Sequence, residues 1–463
     1  MLFFLRAANN VTYSGSGLIN NFFVAYFDVS TAQVDWVVLG GFIGSLIAKP
    51  LIGVLVSLDL MLFRRLAIAS SVLVVVDFSC FVIGLLNRSL FPLIVLSQIA
   101  AGIPLAVLDI LPGIFAPLWF PEHQVGTAIG AMVIGMSLGT ISGSIGLTHA
   151  VGTHFTVFIH GNTSHLLPGN VTFDTEAISE TRKNLLTIYG ALLGLTVVSL
   201  IFLFKYAKDQ PPLPPTSAQA SKSKDANDGS WRSKISQAIT NTKALWSDST
   251  FVMASIIFGI AYHFNTYQYT LLGEMLREKT STLSSEQETV ISGYATACFS
   301  AGACFGCFLG GFTTNRFKHY SRQTIAGSFI SFVGGVGFSL GFVYKDTWLL
   351  MLSNFIYGSG TRISMIPLYD MITQHTYPMD ETISCSWMNC IQCIFAIAGA
   401  ELSRLLYTYT GSLGVLLFQS AALFSAFLLT IFIKPKYGRL INSDENSETK
   451  SILSKECEVS ANN

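Results

Sequence analysis

The chain has 463 residues, with 27 Lys and Arg against 27 Asp and Glu, so its formal charge is zero and a basic surface for nucleic acid is excluded. Only 12% of residues are charged and 51% are apolar, with a mean hydropathy of +0.53, where a soluble domain carries roughly 25% charged residues. Those values point to a membrane protein, too long for one ordinary soluble domain.

A crossing helix needs about 20 mostly apolar residues, and the sequence offers twelve such segments. The first, about 2–27, is the weakest and holds Asn9, Asn10, Asn20 and Asn21. Its opening MLFFLRAANN places apolar residues before the only charge, the reverse of a cleavable signal. Spans two to six follow at about 34–58, 65–86, 90–118, 124–151 and 184–205, with a polar loop at 152–183. The segment 206–248 contains QPPLPPTSAQASKSKDANDGS and is expected to be mostly disordered, with one short amphipathic helix near 230–245. Spans seven to twelve follow at about 249–275, 289–314, 323–344, 347–374, 383–406 and 411–434. The expected fold class is an all-α membrane protein, twelve transmembrane helices in two six-helix bundles. The expected divisions are an N-terminal bundle at 1–206, a cytoplasmic linker at 207–248, a C-terminal bundle at 249–434 and a flexible cytoplasmic tail at 435–463.

Lys and Arg set the orientation. Arg64 and Arg65, Lys205 through Lys243, Arg316 through Arg322, and Lys434 through Arg439 all fall on one side of a twelve-span count, which is therefore cytoplasmic. The acceptor triplets at Asn162 and Asn170 then share an outer loop, where glycosylation is expected. Asn87-Arg-Ser also falls outside but hugs the membrane. The plasma membrane is the expected residence, with a lysosome or another organelle as the alternative.

The halves echo one another. Asp59 and Arg64 flank the turn between spans two and three, and Arg316 and Arg322 the turn between spans eight and nine. They read either as gating ion pairs between halves or as ordinary positive-inside anchoring. Pro112 and Pro367 sit late in spans four and ten, with Pro121 and Pro378 at their exits, as hinges or plain kinks. Eight cysteines include C-x-x-C spacings at Cys304/Cys307 and Cys390/Cys393, both in apolar runs where thiols are expected instead of a metal or redox site.

Polar residues inside spans carry the functional expectation, because a charge there is costly and is kept only against a partner or water. Counting at about 1.5 Å per residue from Phe120 and Thr376 puts Asp109 and Arg362 roughly 17 and 21 Å deep. Three readings stand: an Asp109–Arg362 pair across the path, a water-lined cavity without a pair, or a contact within one bundle. Lys49 and Asp77 are placed to pair within the first bundle. His263 is either a proton-binding group or a satisfied histidine. Glu274 either guards the outer mouth or is a solvated helix end. Glu401 and Arg404, one turn apart, are expected to pair locally. Tyr262 to Tyr269, with Tyr13 and Trp387, offer ring faces for a quaternary ammonium, with Asp109 as countercharge. Interfacial tyrosines are the alternative.

Four segments carry a resemblance: Gln33-Val-Asp-Trp36, LPGIFAPLWFPEHQVGTAIG, KDQPPLPPTSAQA and IPLYDMITQHTYPMDETISCSWMN. Through them the chain resembles the solute-carrier family of the feline leukaemia virus subgroup C receptor proteins (haem and choline transporters). It is also similar to the lysosomal pyridoxine transporter branch. The likeness covers nearly all twelve spans and implies the major facilitator fold. The family's span-one aromatic falls at Tyr13, and its asparagines at Asn9 and Asn389. Its span-seven aromatic falls at Thr266, beside Tyr267. Its glutamines fall at Ser137 and at Cys393, beside Gln392. The family also carries a basic-aromatic lead-in before span one, whereas this sequence opens inside that span, which reads as a truncated start.

The resulting expectation is a secondary transporter working by alternating access. The substrate is a choline- or ethanolamine-type cation or haem. The alternatives are a pyridoxine-like vitamin, or a transporter-like receptor without flux. No nucleophile motif or Walker-type loop is present, so neither an enzyme nor an ATP-driven pump is expected. No cofactor is expected, and a monomer suffices. The partners are a small solute and the lipid bilayer.

Overall fold

A computed structural model describes residues 2–58, 63–120, 122–152, 158–159, 171–172, 175–209, 231–279, 285–317, 319–376, 379 and 381–433. The first crossing is broken at Ile19 into α1 (Leu2–Leu18) and α2 (Asn20–Phe27). Next come α3 (Thr31–Ser57), α4 (Phe63–Leu86), α5 (Phe91–Trp119), α6 (Glu122–Gly152) and α7 (Thr175–Tyr206). A two-stranded antiparallel hairpin, Phe158–Ile159 with Val171–Thr172, lies between α6 and α7. The amphipathic helix α8 (Trp231–Ser247) matches the segment expected near 230–245 and turns by 79° into α9 (Ser249–Thr270). α10 (Leu272–Lys279), α11 (Ser285–Phe317), α12 (Tyr320–Tyr344), α13 (Thr347–His375) and α14 (Glu381–Phe432) complete the chain.

α14 contains the last two crossings. They are separated at Gly411, whose φ of 68° is open to glycine and strained for other residues. Counting α14 as two, six crossings precede α8 and six follow it. By length and apolarity alone eight described helices qualify outright, α14 among them. The first, seventh and tenth crossings carry more polar residues, as helices bordering a polar path do.

Local chemistry places the helix starts. Ser30 and Gln33 form a reciprocal capping box at the head of α3, so the quoted Gln33 has a structural task. Asp248 and Asp346 cap α9 and α13 by accepting backbone N–H groups. His375, at the end of α13, reaches Asp248 at 2.9 Å and ties the inner ends of crossings seven and ten together.

The internal echo reappears in the packing. Gly44 and Gly102 let α3 and α5 cross backbone to backbone, and Gly302 and Gly358 do the same for α11 and α13. A Cβ at Gly44 would run into the carbonyl oxygen of Ile99, and one at Gly358 into that of Phe299. Small residues at such crossings are how membrane helices gain close contact without a hydrophobic driving force. Each half has its own buried core, around Phe22, Phe78, Phe81 and Tyr189 in the first and Tyr267, Phe299, Phe338 and Tyr357 in the second. Leu51, Leu96, Phe308, Phe312 and Leu417 point outward, as lipid-facing side chains do.

Candidate functional site

The end of the molecule that bears α8 is called inner, following the Lys and Arg bias. Midway along the crossings, Asp109 of α5 accepts from Arg6 Nη2 at 2.9 Å and pairs with Lys49 Nζ at 3.0 Å. Arg6 also donates to the carbonyl of Leu108 at 2.7 Å and approaches Met136 Sδ at 3.6 Å. Lys49 reaches into the second half, to Cys393 Sγ at 3.5 Å. The Asp109 side chain keeps 11% exposure, against 7% for Arg6 and 1% for Lys49.

This arrangement corrects two expected pairings. Asp109 is held by cations of its own half and not by Arg362, so of the three readings the contact within one bundle is the one observed. Arg362 lies along α13 with Nη1 3.9 Å from Met365 Sδ and its Cβ beside Gly306. Lys49 serves Asp109, while Asp77 accepts from Gln98 Nε2 at 3.1 Å. Arg6 was the missed partner. Its signal was a lone arginine in the weakest span, buried to 6% exposure.

An aromatic group lies next to this cluster. Tyr13 packs edge-on against Phe42 at 5.1 Å and Tyr269 at 6.0 Å, joining the halves with Cys393, Ala396 and Ala400 nearby. Thr266 is buried. Tyr267 turns into the second half, where its hydroxyl meets Gln419 Oε1 at 2.6 Å. The span-seven ring that meets Tyr13 is therefore Tyr269, three residues beyond Thr266 and on the same helix face. The side chains of Tyr262, His263 and Phe264 lie outside the described residues. Asn389 donates to the Tyr369 hydroxyl and to the Cys385 carbonyl at 2.8 Å. Gln392 is 2% exposed, and its Oε1 has no hydrogen-bond partner among the described residues. Asn9 and Ser137 are buried, and Ser137 faces Cys304 of α11 across the interface of the halves. Trp387 is corrected out of this group. It donates to Thr242 of α8 at 3.2 Å and packs on Trp246, toward the inner surface.

The outer ends of the halves are joined by ions. Arg404 of α14 binds Asp35 of α3 through Nε and Glu274 of α10 through Nη2, the latter at 3.1 Å. Tyr407 donates to the Glu274 carbonyl at 3.1 Å. Glu274 is fully buried and Glu401 is exposed, which overturns both the solvated reading of Glu274 and the local Glu401–Arg404 pair. Nearby, Asn21 donates to Thr289 at 3.4 Å and His149 meets the Tyr294 hydroxyl at 2.9 Å. Gly17 lies against the Tyr269 backbone and Gly293 against that of Ser144.

The expected inner gate is less complete. Arg64 engages its own half, through its backbone N–H to Asp209 at 2.9 Å and Nη2 to the Phe204 carbonyl at 3.3 Å. Arg316 and Arg322 are exposed. Asp59, Asn162, Asn170, Pro121 and Pro378 lie outside the described residues. Near the inner end the described link between halves is α3 against α14, where Gly53 faces Ser386.

A family model, the Major Facilitator Superfamily, matches residues 2–400. The choline/ethanolamine transporter flvcr2a of Danio rerio is 23% identical over 425 residues, covering 90% of this chain and 82% of that protein. The choline/ethanolamine transporter FLVCR2 of Homo sapiens is 22% identical over 449 residues, covering 96% and 77%. Among solved structures, the E. coli fucose:proton symporter superposes with a TM-score of 0.62 at 13% identity, covering 94% of this chain and 98% of the other. The D-xylose-proton symporter gives 0.67 at 12%, covering 94% and 97%. At these identities the two structures speak to the fold alone.

Proposed function

This chain belongs to the Major Facilitator Superfamily, and from that membership we propose that it carries a small organic solute by alternating access. The observation that carries the reading is the Asp35–Arg404–Glu274 cluster, which joins the two halves at their outer ends. An ion cluster between two bundles breaks as a unit when they rock apart, and the polar path behind it then opens outward. On this reading the joined outer ends correspond to a state that takes its solute from the inner face. On this proposal residues 1–206 and 249–434 move as the two bodies, with 207–248 as the cytoplasmic linker and 435–463 as a cytoplasmic tail. The plasma membrane is the proposed residence, with glycans at Asn162 and Asn170.

For the solute, the relatives' names put choline and ethanolamine first. Asp109 is already shared by Arg6 and Lys49, so it is not the countercharge for an organic cation. Recognition of an ammonium falls instead to the ring faces of Tyr13, Phe42 and Tyr269, where a dry cation–π contact contributes about 2 kcal/mol. The Gln392 carbonyl, without a hydrogen-bond partner among the described residues, supplies a further acceptor. The test is uptake into proteoliposomes beside ligand-induced thermal shift, across choline, ethanolamine, haem and pyridoxine. Saturable flux of choline or ethanolamine, reduced at least tenfold by Tyr13→Ala, is the expected result. Binding without flux would establish a receptor, and flux of haem or pyridoxine alone would replace the substrate assignment.

A further inference from the structure

A polar cavity sits at the outer end of the first half. Its volume is about 340 Å³, and its lining includes Tyr26 at the end of α2, Asn87 and Arg88 before α5, and Thr175, Ser179 and Arg182 on α7. The guanidinium of Arg88 lies 5.5 Å from the centroid of the Tyr26 ring, and that of Arg182 lies 5.9 Å from the same ring. The ring is fixed from behind, stacked on Phe22 at 5.4 Å and donating its hydroxyl to the Leu85 carbonyl at 2.9 Å.

Among the described residues neither arginine forms an ion pair with an acid, and the buried Arg182 Nε has no hydrogen-bond partner there. A single ring face offers each cation about 0.5–2 kcal/mol and satisfies none of its N–H donors. Two guanidiniums drawn to one ring repel each other unless an anion lies between them. α7 begins at Thr175, so its N-terminal amides lie at the same mouth, beside the exposed Glu176 of that first turn. Exposed Leu86, at the outer end of α4, also lines it, which puts it at the boundary of the outer leaflet.

We infer that this cavity is a binding site for a phosphate group, held by Arg88 and Arg182 in charge-assisted pairs with the Thr175 and Ser179 hydroxyls at its rim. The planar donor fork of arginine matches phosphate oxygens bidentately. A bound phosphate would tie the turn between the third and fourth crossings, through Arg88, to the head of the sixth. The group comes either from the headgroup of an anionic lipid or from a free phosphate ion, and these sources are separable.

The experiment uses full-length protein in phosphatidylcholine nanodiscs. One arm adds phosphatidic acid to the bilayer. The other adds inorganic phosphate, with chloride at equal ionic strength as control. Unfolding temperature is followed in wild type and in the double variant Arg88→Gln, Arg182→Gln. The inference expects at least one arm to raise the unfolding temperature of wild type, with the half-maximal concentration moved at least tenfold in the double variant. A response to the lipid alone assigns the headgroup, and a response to inorganic phosphate assigns the free ion. No response in either arm, or an equal response in the double variant, overturns the inference. If the double variant does not fold in pure phosphatidylcholine, Arg88→Gln alone gives the same comparison, because Arg88 is exposed.

Discussion

Asp109 is one carboxylate between two buried cations, and its neutralisation would leave Arg6 and Lys49 facing each other in a membrane interior. Removing one member of a buried ion group costs about 3–5 kcal/mol. Asp109→Asn is therefore expected to lower the unfolding temperature in detergent as well as transport. Adding Lys49→Met to Asp109→Asn should recover much of the lost stability. Equal unfolding temperatures for wild type and Asp109→Asn would show that the cluster carries no structural load. At the outer end, Arg404→Ala leaves Asp35 and Glu274 without their shared cation. A cysteine at position 21, placed by Asn21→Cys, should then react several-fold faster with a membrane-impermeant maleimide added from outside, and an unchanged rate would deny the outer lock. The identity of these charged residues was visible in the sequence, but their partners were not. Arg404 was read against Glu401 because spacing along a helix is a local quantity, whereas its observed partners lie 369 and 130 positions away. Lys49 was set against Asp77, and Asp109 against Arg362, by depth in the membrane, which does not tell which side chains of equal depth meet.

At the level of helices the sequence was more informative, because length and apolarity are local. All twelve expected crossings correspond to described helices, and α8 was anticipated from its composition. The misjudged edges have local causes. α7 starts at Thr175, nine residues earlier than expected, since its first turns are polar and stand clear of the apolar run. Crossings eleven and twelve run together except at Gly411, which supplies the separation through one left-handed residue. Gly411→Ala is expected to cost about 1–3 kcal/mol from that backbone conformation, read as a lower unfolding temperature with the same helical signal. A neutral effect would mean that the bend is set elsewhere. Gly44 and Gly358 passed unnoticed in the sequence, since glycines are common in such helices and only the crossing partner shows which of them must stay small. Tyr269 was anticipated only as one of several span-seven rings, for a related reason. The family position fell on Thr266, and the ring that fills the space arrives one turn later.

The whole molecule is two bundles sharing one interface, and among the described residues its contacts differ along the membrane normal. Outside, three charged residues and the Asn21–Thr289 bond join the halves. At mid-depth Lys49 and the Tyr13–Tyr269 pair do so. Toward the inside the described link narrows to α3 against α14. Sequence symmetry made two bundles legible, but not which end is shut, because that depends on pairs formed between halves. The most direct measurement is flux of radiolabelled choline or ethanolamine in proteoliposomes bearing Asn21→Cys with Thr289→Cys, oxidised to a cross-link and then reduced, with wild type oxidised in parallel. The account expects transport in the reduced protein, its loss when the outer ends are joined, and its return on reduction. Undiminished flux through the cross-linked protein would contradict it.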